Sequence, residues 1–204
     1  MQSSIALSGE NSRPNATLEN LSARGRVKQR LYNVAFDGAL LSRGFWLYVW
    51  EIVAPDGRTF HYVGKTGDKA SHVCQSPFNR LTNHLGGNKH SNALNRNLRQ
   101  IKIDPQRCQF RFHAYGPLFG DRSQRTHGEL CDVTSGLEKG LANAMTEAGY
   151  EVINKVHSLT PLDIEAFAAL RAAFAAHFDK LSLGKTAATT REFATATREH
   201  GGQR

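Results

Sequence analysis

The chain has 204 residues, 40% of them hydrophobic, which is enough apolar matter for one compact domain with extensions and excludes wholesale disorder. Lys and Arg number 26 against 18 acidic residues, a formal charge of +8 that favours polyanionic partners, nucleic acid first and an anionic membrane surface second. No apolar run approaches the ~20 residues of a membrane span, and the polar stretch from Met1 to Asn20 has no hydrophobic signal core, so no membrane is expected and an intracellular, cytoplasmic protein is.

In chain order, residues 1–40 read as a mobile basic extension in which Arg24, Arg26, Lys28 and Arg30 either touch phosphates or are simply solvated. Residues 45–53 are aromatic and β-branched and read as a strand. Pro55-Asp56-Gly57 is a turn, because proline presets φ and glycine accepts positive φ, and a second strand from Arg58 to Gly64 completes an antiparallel hairpin. Ser76-Pro77 is an N-cap followed by proline at the first helical position; the helix ends at Gly86-Gly87. Another helix starts at Ser91, with Leu94, Leu98 and Ile101 at helical spacing. Over 107–115, Cys108, Phe110, Phe112 and Ala114 alternate with Gln109, Arg111 and His113, the pattern of a half-buried strand.

A further helix is expected from about Leu137, with Leu141, Ala144 and Met145 in one stripe and an end at Gly149. Val152 to Val156 suggests a short strand. One last amphipathic helix, within 159–183, carries Ile164, Phe167, Leu170, Phe174, Phe178 and Leu181, and that stripe must be buried on the domain or in a homodimer. The tail 184–204 is polar and reads as flexible. Cys74, Cys108 and Cys131 are too widely spaced for a disulfide framework or a zinc site. The element order describes an α+β domain over 41–158, a small antiparallel sheet flanked by helices.

The chemistry-bearing residues are Tyr48 on the first strand, Tyr62-Val63-Gly64-Lys65 on the second, Arg80 and His84 one helical turn apart, then His90, Glu138 and Asn154. Spacing puts Arg80 and His84 on one helix face, with Leu81 and Leu85 packing on the other. A plain reading stands beside each. The tyrosines serve as sheet aromatics, His84 steadies a helix C-terminus, and His90 is a loop residue. Glu138 closes a capping box with Ser135, and Asn154 ends a strand. Gly64-Lys65-Thr66 is not a phosphate-binding P-loop, since Thr59 stands where that pattern needs glycine.

As an ordered set over residues 45 to 156, these motifs resemble the GIY-YIG nuclease family, whose fold would be the α+β domain above. Trp46 stands where the family's first motif has glycine, and residues 67–78 lengthen the link to Arg80. The resemblance implies a metal-dependent DNA endonuclease, with a nucleic-acid-binding module lacking catalysis as the alternative. Tyr48 or Tyr62 would activate water, Tyr48 being favoured, with Arg80 on the phosphate and His84 giving a hydrogen bond or proton. Glu138 would hold Mg²⁺, with Mn²⁺ as its substitute; Asn154 would orient its neighbours, and Lys65 and His90 would contact DNA. Mg²⁺ suits such a site because it commonly uses one or two carboxylates plus water and substrate phosphate.

Overall fold

The central strand of the sheet, β1 (Leu47–Val53), is apolar on both faces because both faces are covered. The structure, a computed structural model, describes residues 31–67, 69, 73–86, 92–120 and 125–183. Contacts divide the chain into Met1–Ala35 and a compact unit from Phe36 onward, which carries everything below. In that unit β1 pairs antiparallel with β2 (Thr59–Lys65) and with β3 (Gln109–Tyr115), in the order β2-β1-β3. The fold is α+β with a small three-stranded antiparallel sheet. Gly57 joins β1 to β2 at φ +84, the conformation that the turn signal demands.

Alternation along β1 sends its side chains into two cores. Leu47 and Val49 join Val63 and the later helices α3 (His127–Glu147), α4 (Ile164–Ala175) and α5 (Lys180–Leu183). Tyr48, Trp50 and Ile52 join Phe60, Tyr62, Leu94 and Leu98, with α1 (Pro77–Leu85) and α2 (Ala93–Gln100) on that side. β3 is half-buried as its pattern predicts, with Phe110, Phe112 and Ala114 in the second core. Its His113 meets Phe178 on the opposite face, ring centroids 5.1 Å apart.

Helix boundaries follow capping chemistry, with three departures from the sequence reading. Ser76 caps α1, accepting from the Asn79 N–H at 3.2 Å, with Pro77 next, as expected. α2 is capped by Asn92, whose side-chain amide also donates to the Gly86 carbonyl at 2.7 Å and so ties the end of α1 to the start of α2. The first departure is α3, which begins ten residues before Leu137. Its capping box is Thr126 with Glu129, so Glu138 lies in mid-helix and caps nothing. Ser135, its supposed partner, instead donates to the Cys131 carbonyl.

The second departure concerns Val152 to Val156, which make no strand. Val152 forms a single parallel bridge with His61. The third is the last helix, which is two. α4 is capped by Asp163 and ends at Ala175, and Phe178 turns inward before α5. Leu170, Phe174, Phe178 and Leu181 all enter the core with Leu47 and Val49, so that part of the stripe is buried on the domain, one of the two expected outcomes, while Ile164 is 78% exposed. No helix among the described residues is long and apolar enough to cross a membrane. The tail 184–204 and the cluster from Arg24 to Arg30 lie outside the described residues.

Candidate active site

Antiparallel register sets the two phenols. Tyr48 sits opposite Gly64 and Trp50 opposite Tyr62, so Tyr48 and Tyr62 are diagonal neighbours on one face of the sheet. Gly64 makes room for the first of them. A Cβ at that position would stand 2.5 Å from the Tyr48 ring and hydroxyl, inside any tolerable contact. The glycine of Tyr-Val-Gly is therefore the bed on which the Tyr48 phenol lies.

α1 closes this face. Its buried residues are Pro77 and His84, with Leu81 partly buried on the same side, while Leu85 is 36% exposed. That corrects the expected division of the helix: His84 faces the core and Leu85 faces out. The Tyr48 hydroxyl and His84 Nε2 are 2.7 Å apart, and the Tyr62 ring lies 5.1 Å from the imidazole. Burial, then the nearby Arg80 charge, lowers the His84 pKa to about 4, so the ring is neutral at physiological pH and a weak base that holds the Tyr48 hydroxyl by a hydrogen bond. Its Nδ1 is buried without a partner among the described residues.

Arg80 is the cation of this cluster. No carboxylate pairs with it among the described residues, and its Nε is buried without a hydrogen bond. Its charge nevertheless reaches Tyr48, Tyr62, His84 and Glu138. Burial drives the Tyr48 phenol well above its ordinary range, and pushes Tyr62 up to about 12 with a further push from Glu138.

Glu138, in mid-α3, which packs on the other face of the sheet, lies near enough for its charge to act on Tyr48 and Tyr62. Burial raises its pKa to about 7, against the pull of Lys65 and Arg80. It accepts no hydrogen bond among the described residues, whereas Glu129, the true cap, accepts from the Thr126 N–H at 2.6 Å. A carboxylate held partly out of water, with no hydrogen-bond donor among the described residues, is what a hard cation would complete. No group of three or more His, Cys, Asp or Glu side chains that could hold a metal occurs among the described residues, so a cation here would take Glu138 and draw its other ligands from water and phosphate. Lys65 donates to the Gly67 carbonyl at 2.6 Å, close enough to act on Glu138 without pairing with it.

Asn154 lies at the edge of β2 and not among the phenols. Its Oδ1 accepts from the Val63 N–H at 3.0 Å and its Nδ2 donates to the Val63 carbonyl at 2.7 Å. It fixes the backbone between Tyr62 and Gly64, so it positions the strand and does not touch the reacting groups. His90 lies outside the described residues. The structure brings together Tyr48, Tyr62, Arg80, His84 and Glu138, with Lys65 beside them.

Two further residues contribute beside these. Thr66, fully buried, accepts from the Trp46 N–H at 2.8 Å and donates to the Gly44 carbonyl, locking the end of the hairpin under the site. Its one signal is its place after Gly64-Lys65, which invites a phosphate-loop reading instead. Arg96 on α2 acts on Tyr62 and has no motif to announce it. Comparison with protein-family models, with curated proteins and with solved structures gives no match for this chain.

Proposed function

We propose that the chain is a metal-dependent DNA endonuclease of the GIY-YIG kind, hydrolysing phosphodiester bonds. The observation that carries this reading is the convergence of two phenols, a neutral imidazole, an unpaired guanidinium and an undersupplied carboxylate from β1, β2, α1 and α3. Such a set matches the needs of phosphodiester hydrolysis: a proton acceptor for water, positive charge on the phosphate, and a ligand for a hard cation.

Water attacks phosphorus in line. Its proton passes to the Tyr48 oxygen as the Tyr48 proton moves along the 2.7 Å bond to His84 Nε2, and the imidazolium so formed, which burial and Arg80 disfavour, returns that proton to solvent, so no free phenolate need exist in the buried site. The P–O bond opposite the water breaks, and the departing oxygen takes a proton from solvent. Arg80 offers its planar fork to the non-bridging oxygens, Lys65 adds charge, and Tyr62 orients the water. Mg²⁺ or Mn²⁺ held by Glu138 would supply Lewis acidity at the phosphate.

The test is cleavage of supercoiled plasmid with Mg²⁺ or Mn²⁺, halted by EDTA. One observation favours a second reading, a nucleic-acid-binding module without catalysis: Tyr48 is 2% exposed. DNA that is bound yet uncut, whether supercoiled, linear or single-stranded, selects that second reading.

A further inference from the structure

Beside the cluster of phenols, a groove of about 960 Å³ runs along α2. Leu85 and Gly86, at the end of α1, line one end of it, and the candidate-site side chains themselves do not line it. Arg96 and Arg99 line it from successive turns of α2, and their i, i+3 spacing points them the same way. Neither is ion-paired among the described residues. Gln100 and Gln106 stand exposed in its wall, and Phe110 of β3 contributes a half-buried ring. Arg96 also lies close enough to Tyr62 for its charge to favour the ionised phenol, which links groove and site electrostatically.

The eight residues of α2 span roughly 12 Å. One strand of duplex DNA carries a phosphate about every 3.4 Å of axis, so the helix runs alongside about three phosphates. Guanidinium forks suit phosphates. Amides both donate and accept, which base edges and sugars require and the carboxylates of an acidic peptide do not. A ring in the wall adds a surface for base contact.

We infer that this groove seats one strand of the substrate nucleic acid next to the cleaved phosphate, with Arg96 and Arg99 on its phosphates and Gln100 and Gln106 on sugars or base edges. The inference rests on the nuclease reading for its substrate, but its test is separable because binding is measured without cleavage. In a Glu138→Gln background, a labelled short DNA duplex is titrated at several salt concentrations. Adding Arg96→Gln and Arg99→Gln together should weaken binding at least about tenfold and flatten the slope of log Kd against log salt by about 2, one unit for each lost phosphate contact. Lysine at both positions should restore most of that slope, and Lys180→Gln, on the other face of the sheet, should leave it alone. Unfolding midpoints confirm that each variant is folded.

If the native chain cuts DNA while the double glutamine variant binds with unchanged affinity and slope, the groove inference fails and the nuclease reading stands. If the chain never cuts but the arginine pair governs binding as described, the groove stands and the nuclease reading fails. If polyglutamate binds through the two arginines and DNA does not, the groove docks an acidic protein and the inference is overturned.

Discussion

Glu138 is the residue at which function and stability pull apart. Its carboxyl is held partly out of water without donors among the described residues, so folding disfavours its charged form and its pKa rises to about 7 from the ordinary ~4.3. The stabilisation that goes with the protonated acid is complete below about pH 4 and disappears as pH rises toward 7. Glu138→Gln removes that penalty without changing shape, and it should stabilise the metal-free protein near pH 8 by about 1–3 kcal/mol. The gain should shrink toward zero near pH 4, while cleavage falls by orders of magnitude. Chemical denaturation at both pH values, beside a plasmid assay, checks the pair of effects; a variant that is less stable near pH 8 contradicts the geometry. At this scale Tyr48, Tyr62, Arg80, His84 and Glu138 are legible in the sequence because each is a reactive type and their order along the chain is informative. What spacing does not carry is direction. Asn154 reads as an orienting residue of the site, yet its amide faces a strand edge, and the need for Gly64 is visible only once the Tyr48 ring lies across it.

Among the elements, the hairpin, α1 and β3 are legible because proline, glycine and strict alternation act locally. α3 shows where local rules stop. Ser135 to Glu138 and Thr126 to Glu129 have the same capping spacing, and only tertiary structure separates them. Gly136 resembles a boundary but lies inside the helix, where residues 160–162 cross it: a Cβ there would stand 2.9 Å from the Pro161 carbonyl oxygen. Gly140 likewise gives space to Leu162 and Phe167. The close crossing delivers α4 and α5 to the sheet, and Phe178 fixes them, with ring centroids 5.1 to 5.7 Å from His113, Tyr150 and His61. Phe178→Ala should cost about 3–5 kcal/mol, the range for a truncated core phenylalanine, with no change in oligomeric state. Denaturant unfolding and light scattering measure the two. A variant of unchanged stability that loses a dimer would show the stripe to be an interface after all.

For the molecule as a whole, a sheet of three strands has two outer margins and covers only its faces with helices. At the β2 margin the chain closes the exposed backbone with residues 151–154. The His61 N–H donates to the Glu151 carbonyl, the Ile153 N–H donates to the His61 carbonyl, and the Asn154 amide supplies both partners of Val63. That amide acts as one more rung of a ladder, made from a side chain. An unpaired strand margin is a template for another chain to add to, and a bare rung at Val63 would sit beside an apolar, strand-prone sequence running from Phe60 to Gly64. Asn154→Ala should therefore do more than loosen the strand of Tyr62. It should make the protein aggregate at concentrations where the native chain stays dispersed, as followed by light scattering during prolonged incubation, while Asn154→Asp, which keeps the acceptor for the Val63 N–H, should fall between. The residue that steadies the candidate site is then also the one that keeps copies of the chain from growing onto each other.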